Sequence, residues 1–597
     1  SFPYDSRVLY PLVFNQFLHC IFFVNGHYAR GTHMRAADIA RGGLRLIRVS
    51  RSNHDMELDN AVLLNYALGP KAQRIKHKDI CESGSKGVVI PHPTYARYSL
   101  ESLLDYTCGI LDLILGDRGP LVDYYGRPEM VFFGPDEGTA QLMDAIALRA
   151  QERGYQHWHT LTTGKSFGIP HDTYGLLDDG KLFGLFSKGE QGVELQIDGE
   201  YILTATDMEE IYSVIGGKIE ISGMTTTSVM SSFRSLIDSV DAKEEDLNLM
   251  ITGGPDGDLG ANEIQCYKGK ICLIIDGGSI LFDPAGLDHK ALSLLAFARN
   301  SNPRLNSRAF PLEKLSSKGF MVPINAKNIT LPDGRVIADG ALFHRTFLTD
   351  SANRAILKQA DIRAFIPCGG FKDTISRSNV RRFLENFKEL EFIVEGANVF
   401  FADGARRHIA SQTAIKQIKD STANKGGVFS SSIAEVLTGF LLGEDYKPTL
   451  LDDTETRWGL ARDIMLAIRQ YAEQETRMLL NLHSSTPEIP LFELSVTSSE
   501  AIFDLQEKLH ERLEEILATD SIVDRVLRLY IPDVLVDKLG MDRIRMILDT
   551  ELLQSYRDAI ITKKLAATAF YHFGSQWQEF LDRIAKDMLA ALDEALK

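Results

Sequence analysis

The sequence lacks most of what would place it on nucleic acid or in a membrane. Lys and Arg number 65 against 81 Asp and Glu, a formal net charge of −16, which is the wrong sign for a phosphate backbone or an anionic lipid surface. Cysteine is scarce, six in 597 residues, and Cys20, Cys81, Cys108, Cys266, Cys272 and Cys368 offer no CxxC or Cys/His pair at zinc spacing. That points to a reduced compartment and to no bound metal. No uninterrupted apolar run reaches the roughly 18 residues of a membrane helix; the run from Pro11 to Val24 is broken by Asn15, Gln16 and His19. Internal repeats and low-complexity segments are missing, as is an initiator Met before Ser-Phe-Pro. The expectation is a soluble intracellular protein acting on small molecules, cytoplasmic or in the mitochondrial matrix, whose preceding segment is not in view.

What is present is an ordinary globular composition, 44% hydrophobic and 24% charged, in a chain long enough for several domains. Residues 1–175 alternate β-rich runs such as "FFVNGHYARG" with helix-like stretches such as "YARYSLESLLDYTCGILDLIL", an α/β pattern. Residues 176–222 read as short runs with Gly and Asp turns, a small β insertion. From 223 to 435, "LNLMI", a glycine loop and "ICLIID" make a strand, turn, short helix and parallel strand, the start of a Rossmann-like parallel sheet. Residues 436–597 are dominated by long amphipathic segments and read as a helical C-terminal region.

The glycine loop "ITGGPDGDLGANEI" at 251–264 admits three readings. As a calcium loop from Asp256 it would put Tyr267 where the bidentate Glu belongs and Gly260 one residue early. An ordinary turn needs about one glycine. As a nucleotide loop, Gly254, Gly257 and Gly260 approximate the dinucleotide fingerprint, although Pro255 stands in the place of its first glycine. Asp256 and Asp258 lie within the loop, and a helix N-terminus there offers N–H groups to phosphate. Asp276 ends the second strand 22 residues after Gly254, near the offset of the acid that binds the adenosine ribose and disfavours a 2′-phosphate. NAD is the expected cofactor.

A second constellation lies upstream, in "ARGGLRLI" (40–47), "KHKDICESGSKGVV" (76–89) and "FFGPDEGTAQ" (132–141). Arg41, Lys76 or Lys78, Lys86 and Asp136 set several cations and one acid among glycines. Such a set suits a dicarboxylate: the cations clamp carboxylates, and a desolvated lysine moves toward the general-base range. The bland reading of Gly-Ser-Lys-Gly is a solvated turn. Cys368 reads as a packed thiol and His157 as a structural histidine.

In order along 40–435, "RGGLR", "GSKG", "GPDEGT", "TTGKSFGIPHDTYG", "EGANVFF" and "KGGVFSSS" resemble segments of the glutamate dehydrogenases. The likeness is to the large NAD-specific class in the glutamate/leucine/phenylalanine/valine dehydrogenase superfamily, without its N-terminal region. The resemblance implies that Lys86 is the catalytic lysine and Asp136 the acid/base carboxylate. It places Arg41, where the family usually has Lys, on the substrate side-chain carboxylate together with Ser431. Lys76, with Lys78 as competitor, takes the α-carboxylate, and Thr225 and Asn398 meet the nicotinamide end of the cofactor. It further implies a homo-oligomer, and a cleft reaction in which L-glutamate, NAD and water give 2-oxoglutarate and ammonium, with Lys86 held neutral by burial. The alternatives are a dehydrogenase of leucine, valine or phenylalanine type, or a catalytically silent regulatory homologue.

Overall fold

The structure, a computed structural model, describes residues 18–49, 51–66, 69, 74–115, 129–136, 139, 142–162, 174–178, 181–189, 192–197, 200–205, 220–298 and 305–597. The chain divides into two compact units: Ser1–His171 with Val428–Ile464 and Thr497–Lys597, and Asp172–Gly427 with Met465–Val496. Most of "TTGKSFGIPHDTYG" lies outside the described residues.

The first unit is built on a five-stranded sheet. Its strands are β1 (Cys20–Asn25), β2 (Ala29–Arg35), β3 (Ala40–Leu46), β4 (Ser83–Pro91) and β5 (Phe132–Gly134), in the order β1-β2-β4-β3-β5. β4 runs antiparallel to β2, with Met34 opposite Lys86, and parallel to β3, with Arg41 opposite Gly84. Every residue of β4 is buried, because its apolar end "VVI" is covered on both faces and its first half carries buried polar chemistry instead. Helix Ser99–Leu115 places Leu103, Tyr106, Ile110 and Leu111 on one face, the 3–4 spacing that covers a sheet. These side chains join Val89, Val131 and Phe133 in one core.

The second unit holds two larger sheets. Strands β6 (Tyr174–Asp178), β7 (Lys181–Gly189), β8 (Gly192–Ile197), β9 (Glu200–Ala205) and β10 (Glu220–Gly223) pair antiparallel in the order β10-β6-β7-β8-β9. The other is a seven-stranded sheet of β11 (Asn248–Thr252), β12 (Ile271–Ile275), β13 (Ser279–Phe282), β14 (Phe320–Pro323), β17 (Ile362–Pro367), β18 (Phe392–Val394) and β19 (Lys416–Ile418). Between β14 and β17 the chain makes a small ribbon of β15 (Ile329–Thr330) and β16 (Val336–Ile337). The sheet order is β14-β13-β12-β11-β17-β18-β19. β12, β11, β17, β18 and β19 are mutually parallel, and β13 and β14 add antiparallel at one edge. "LMIT" and "CLII" are continuously buried, as central parallel strands covered on both faces must be. A nine-residue helix, Asp258–Cys266, joins β11 to β12. This is the α/β architecture with a Rossmann-like parallel sheet expected from the alternation of runs.

The helical C-terminal region does not form a unit of its own. Residues 428–464 and 497–597 group with the N-terminal sheet and 465–496 with the nucleotide half. Amphipathic periodicity reveals that a helix has an apolar face, as in Asp520–Tyr530 with Ile522, Val523, Val526, Leu527 and Tyr530 buried, but not which surface it covers. Among the described residues one helical run, Asp420–Asp445, is long and apolar enough to cross a membrane by length and composition, and 89% of its apolar window is buried. Counting uninterrupted apolar residues misses it, since its serines and glycines break the run while leaving the mean hydropathy high.

Candidate functional site

In the first unit the site begins with glycines on β3. A Cβ on Gly42 would lie 1.7 Å from the Ser85 carbonyl oxygen, and one on Gly43 would come 2.9 Å from Lys86 Nζ and 2.7 Å from Asp136 Oδ2. The pair of glycines therefore lets β3 approach β4 and leaves the space in which Lys86 and Asp136 meet. Lys86, 3% exposed, forms a direct ion pair through Nζ with Asp136 Oδ2. The other carboxylate oxygen accepts from Arg45 Nη2 at 3.2 Å. The loop is anchored below: Thr139 Oγ1 accepts from the Asp136 N–H at 3.0 Å and donates to the Leu44 carbonyl at 2.7 Å. Lys86 is thus one half of a salt bridge, because the acid is within its reach in the folded chain.

Arg41 is buried at the start of β3 and donates through Nη1 to the Val428 carbonyl at 3.2 Å. Ser431 Oγ donates to the same carbonyl at 3.2 Å, so the two residues assigned to one substrate carboxylate do converge. Burial pulls the Arg41 guanidinium below its ordinary value, opposed by Glu82, Glu435, Tyr556 and Tyr530; an arginine still stays protonated. His77 is driven well below its usual value by burial and then by the positive charges of Arg41, Lys563 and Lys76. These groups make a cationic neighbourhood. Lys78 is fully buried and Lys76 half-buried.

Several members of this group escaped sequence reasoning. Ser432 Oγ donates to buried Glu82 at 2.7 Å, Tyr530 OH accepts from the Cys81 N–H at 3.1 Å, and Tyr571 OH donates to Asp79 at 2.6 Å. Lys563, buried in helix Gln554–Phe573, sits with its Nζ 3.4 Å from the Phe503 ring centroid. Arg45 was findable, since it lies on the same β3 face as Arg41 and Gly43 by two-residue alternation. The lysine pair in "ITKKLAATAFY", polar residues inside an otherwise apolar helix face, was a second missed signal.

The second unit carries the nucleotide turn. Gly253 follows β11 at φ +87°, and the helix begins at Asp258 with Gly257 as its N-cap and no side-chain cap. A helix that starts in this way after a glycine turn suits an anion. A Cβ on Gly260 would lie 2.6 Å from the Gly254 carbonyl oxygen, so Gly260 does what the last fingerprint glycine does, packing the helix against the turn. Burial, then the charge of Asp276, raises the Asp256 carboxyl above its ordinary value. These residues fit a pyrophosphate.

Asp276 follows β12 beside the turn and is held by the protein. Its Oδ1 accepts from Gly278 N at 2.8 Å, Ser279 N at 3.1 Å and Ser307 Oγ at 2.6 Å, and its Oδ2 accepts from Ser307 N at 2.8 Å. Three donors crowd Oδ1 and one meets Oδ2, which keeps acceptor capacity, and a Cβ on Gly254 would meet Oδ2 at 2.0 Å. Spacing put this acid beside the turn; it could not show that Ser307, 31 residues later, ties its oxygens into the protein. Thr225 is half-buried at the start of helix Met224–Asp238. Asn398 is exposed after β18, and its Oδ1 accepts from Asn424 Nδ2 at 2.9 Å while the same Nδ2 donates to the Gly396 carbonyl.

The remaining conspicuous residues stay structural. Burial, then His159, lowers His157 to about 4, and its ring stands edge-on to Phe440. Burial, then Glu263, pushes the Cys368 thiol well up, away from the thiolate a nucleophile needs. Among the described residues one group, His19, Asp38 and Glu129, has metal-ligand spacing, but the Arg35 guanidinium pairs with Glu129 and donates to the Asp38 carbonyl at 2.9 Å, supplying the positive charge itself.

A Rossmann-like sheet whose first strand runs through a glycine turn into a helix is the architecture that dinucleotide-binding α/β proteins share. Residues 216–439 match the model of the Glutamate/Leucine/Phenylalanine/Valine dehydrogenase family. It is 32% identical over 594 residues to glutamate dehydrogenase 2 of Dictyostelium discoideum, covering 97% of this chain and 50% of that one. It is likewise 32% identical to the NAD-specific glutamate dehydrogenase of Neurospora crassa, again over 97% and 50%. The chain spans about half the length of these curated relatives. Among solved structures, Plasmodium falciparum glutamate dehydrogenase 2 aligns with a TM-score of 0.46 at 13% identity, covering 79% of this chain and 81% of that one.

Proposed function

We propose that the protein catalyses the NAD-dependent oxidative deamination of L-glutamate to 2-oxoglutarate and ammonium, reversibly, as an intracellular homo-oligomer. The observation that carries this reading is the Lys86–Asp136 ion pair beside the paired glycines of β3, with Arg41 buried on the same strand. Arg41 and Ser431 hold the side-chain carboxylate of the substrate, and Lys76, rather than fully buried Lys78, holds its α-carboxylate. When bound, NAD supplies the hydride acceptor for Cα. Gly254, Gly257 and Gly260, with the first-turn N–H groups after Asp256 and at Asp258, seat its pyrophosphate, and Thr225 and Asn398 contact its nicotinamide end. Asp276 shapes the turn and keeps a negative charge beside it, which favours NAD over a 2′-phosphorylated cofactor.

Asp136 takes a proton from the substrate ammonium, giving the neutral amine from which hydride departs. Lys86 gives up its own proton to solvent, which leaves a neutral lysine amine beside the carboxylic acid that Asp136 has become. The amine then activates the water that attacks the imine, and the acid protonates the departing ammonia. Arg45 holds the second oxygen of Asp136 and so fixes which oxygen faces Lys86. A pocket for leucine or phenylalanine would bury Arg41 against an apolar side chain at a large desolvation cost, which disfavours that alternative. Initial rates of NADH formation with L-glutamate and with L-leucine decide between them: glutamate is expected to be preferred by at least about a hundredfold in kcat/KM, and preference for leucine would overturn the proposal. NAD binding without turnover of either would favour the silent homologue.

A further inference from the structure

Two aspartates flank β13, and two serines hold them in the same way. Asp276 follows β12 and Asp283 follows β13, one at each end of that antiparallel pair. Ser307 donates its N–H to Asp276 Oδ2 at 2.8 Å and its hydroxyl to Oδ1 at 2.6 Å. Ser316 donates its N–H to Asp283 Oδ2 at 2.6 Å and its hydroxyl to Oδ1 at 2.7 Å. Both serines lie in the connection between β13 and β14. The bland reading of each is a staple that fastens this connection to the sheet.

The two aspartates differ in what they face. Asp283 N donates to the Cys272 carbonyl at 2.9 Å, which puts it near the start of β12, about 13 Å from Asp276 at the rise of an extended strand. It packs on its own connection: a Cβ on Gly319 would lie 2.7 Å from its Oδ2. Asp276 instead lies against the nucleotide turn, its Oδ2 in the space that a Cβ on Gly254 would take. Gly253 N donates to the Ile275 carbonyl at 2.8 Å, so the turn and the carboxylate are tied to the same end of β12.

Asp276 is also held more firmly than a staple requires. Ser307 is fully buried and Asp276 only 6% exposed. The single hydroxyl proton of Ser307 goes to Asp276, so in the 2.5 Å contact between Ser279 Oγ and Ser307 Oγ it is Ser279 that donates. His344 Nε2, from helix Gly340–Thr346, donates to the main-chain carbonyl of Asp276 at 2.6 Å. Gly278 lets Asn306, the neighbour of Ser307, come close: a Cβ there would lie 2.1 Å from Asn306 Oδ1. Asp283 takes one further donor among the described residues, Ala285 N at 2.9 Å.

Resting on the NAD reading above, we propose that Ser307 is a positioning residue that sets the choice between NAD and its 2′-phosphorylated form. Its hydroxyl, supported by Ser279, fixes the rotation of the Asp276 carboxylate, so that Oδ2 stays beside Gly254 with capacity to accept from ribose hydroxyls. A carboxylate that cannot swing away repels a 2′-phosphate at close range. Without the hydroxyl, Oδ1 keeps only main-chain donors, the carboxylate turns, and the discrimination weakens. Ser316 performs the same fastening on Asp283 away from the turn, so the molecule carries its own control.

The test uses the full chain, with initial rates measured against NAD and against NADP. Ser307→Ala is expected to lower the ratio of kcat/KM for NAD to that for NADP about tenfold, through KM rather than through kcat at saturating NAD. Ser316→Ala is expected to leave the ratio at the wild-type value. Both should lower the melting temperature by similar amounts, about 1–3 °C, which separates loss of a staple from loss of selectivity. In an Asp276→Asn background, adding Ser307→Ala should change the ratio less than about twofold, because the serine acts through the carboxylate. An unchanged ratio in Ser307→Ala overturns the proposal, as does an equal fall in Ser316→Ala or a further tenfold fall in the Asp276→Asn background. Each of these results, with a wild-type chain that turns over with NAD, leaves the functional reading standing. A wild-type chain without NAD-dependent turnover removes that reading itself, a distinct result.

Discussion

The substrate group of the first unit and the nucleotide turn of the second solve binding in opposite ways. The turn is made of contiguous backbone: four glycines within 253–260 set its path, and the groups proposed to face the ligand are main-chain N–H. The proposed substrate group is made of the charged side chains of Arg41, Arg45, Lys86, Asp136 and Lys563 and the hydroxyl of Ser431, and the backbone's part is to step aside at Gly42 and Gly43. Phosphate recognition tolerates fixed dipoles, whereas proton transfer needs groups that change charge. The contrast implies that substitutions in the two regions separate kinetically, the first altering glutamate parameters and chemistry, the second altering NAD.

The largest expected effect is at the ion pair. Lys86→Ala should lower kcat by about 10³ or more and leave the Kd for NAD unchanged, measured by NADH formation and by calorimetric titration. Asp136→Asn should do nearly the same. Comparable loss of NAD affinity in either variant would break the comparison.

Next is the turn itself. Gly260→Ala places a methyl group 2.6 Å from backbone, so the helix must shift; NAD affinity should fall more than about tenfold and stability by about 1–3 kcal/mol, with the affinity of glutamate-side inhibitors kept. Arg41→Met follows. It should raise KM for glutamate about 10- to 100-fold, and activity on leucine relative to glutamate should rise, which sharpens the assignment of the side-chain carboxylate.

A smaller effect concerns pH and separates the units by stability. Burial holds His33 at about 3 and His157 at about 4, both below the unfolded value of 6.5. Unfolded chains therefore bind more protons between these values, so the stabilisation is complete above about pH 6.5 and is lost as pH falls through the folded values. Each should contribute about 1–2 kcal/mol between pH 7 and 5. His157→Gln should flatten the loss of melting temperature over that range, and an unaltered slope would show that this histidine titrates normally.

How much of this was legible in the sequence follows from the same contrast. Contiguous features could be read: the buried run of β11, the turn, the helix after it and the parallel partner β12 all depend on neighbours in the chain. Lys86 and Asp136 were marked by glycines and resemblance, yet their mutual salt bridge was not, because strand pairing across 50 residues creates it. Asp276 was legible by its spacing beside the turn, whereas Ser307, 31 residues on, was not visible as its partner. The C-terminal helices were readable as helices but not as parts of the substrate unit: Tyr530 and Tyr571 reach 449 and 492 residues back to Cys81 and Asp79, separations that no local pattern encodes.

The most direct test of the central claim is a double measurement on Lys86→Ala and wild type: steady-state formation of NADH from L-glutamate, and NAD affinity of the same preparations. The expected result is robust turnover by wild type, turnover lower by about 10³ or more in the variant, and equal NAD affinities. Near-normal turnover by the variant, or no turnover by a wild-type chain that binds NAD, would contradict the account.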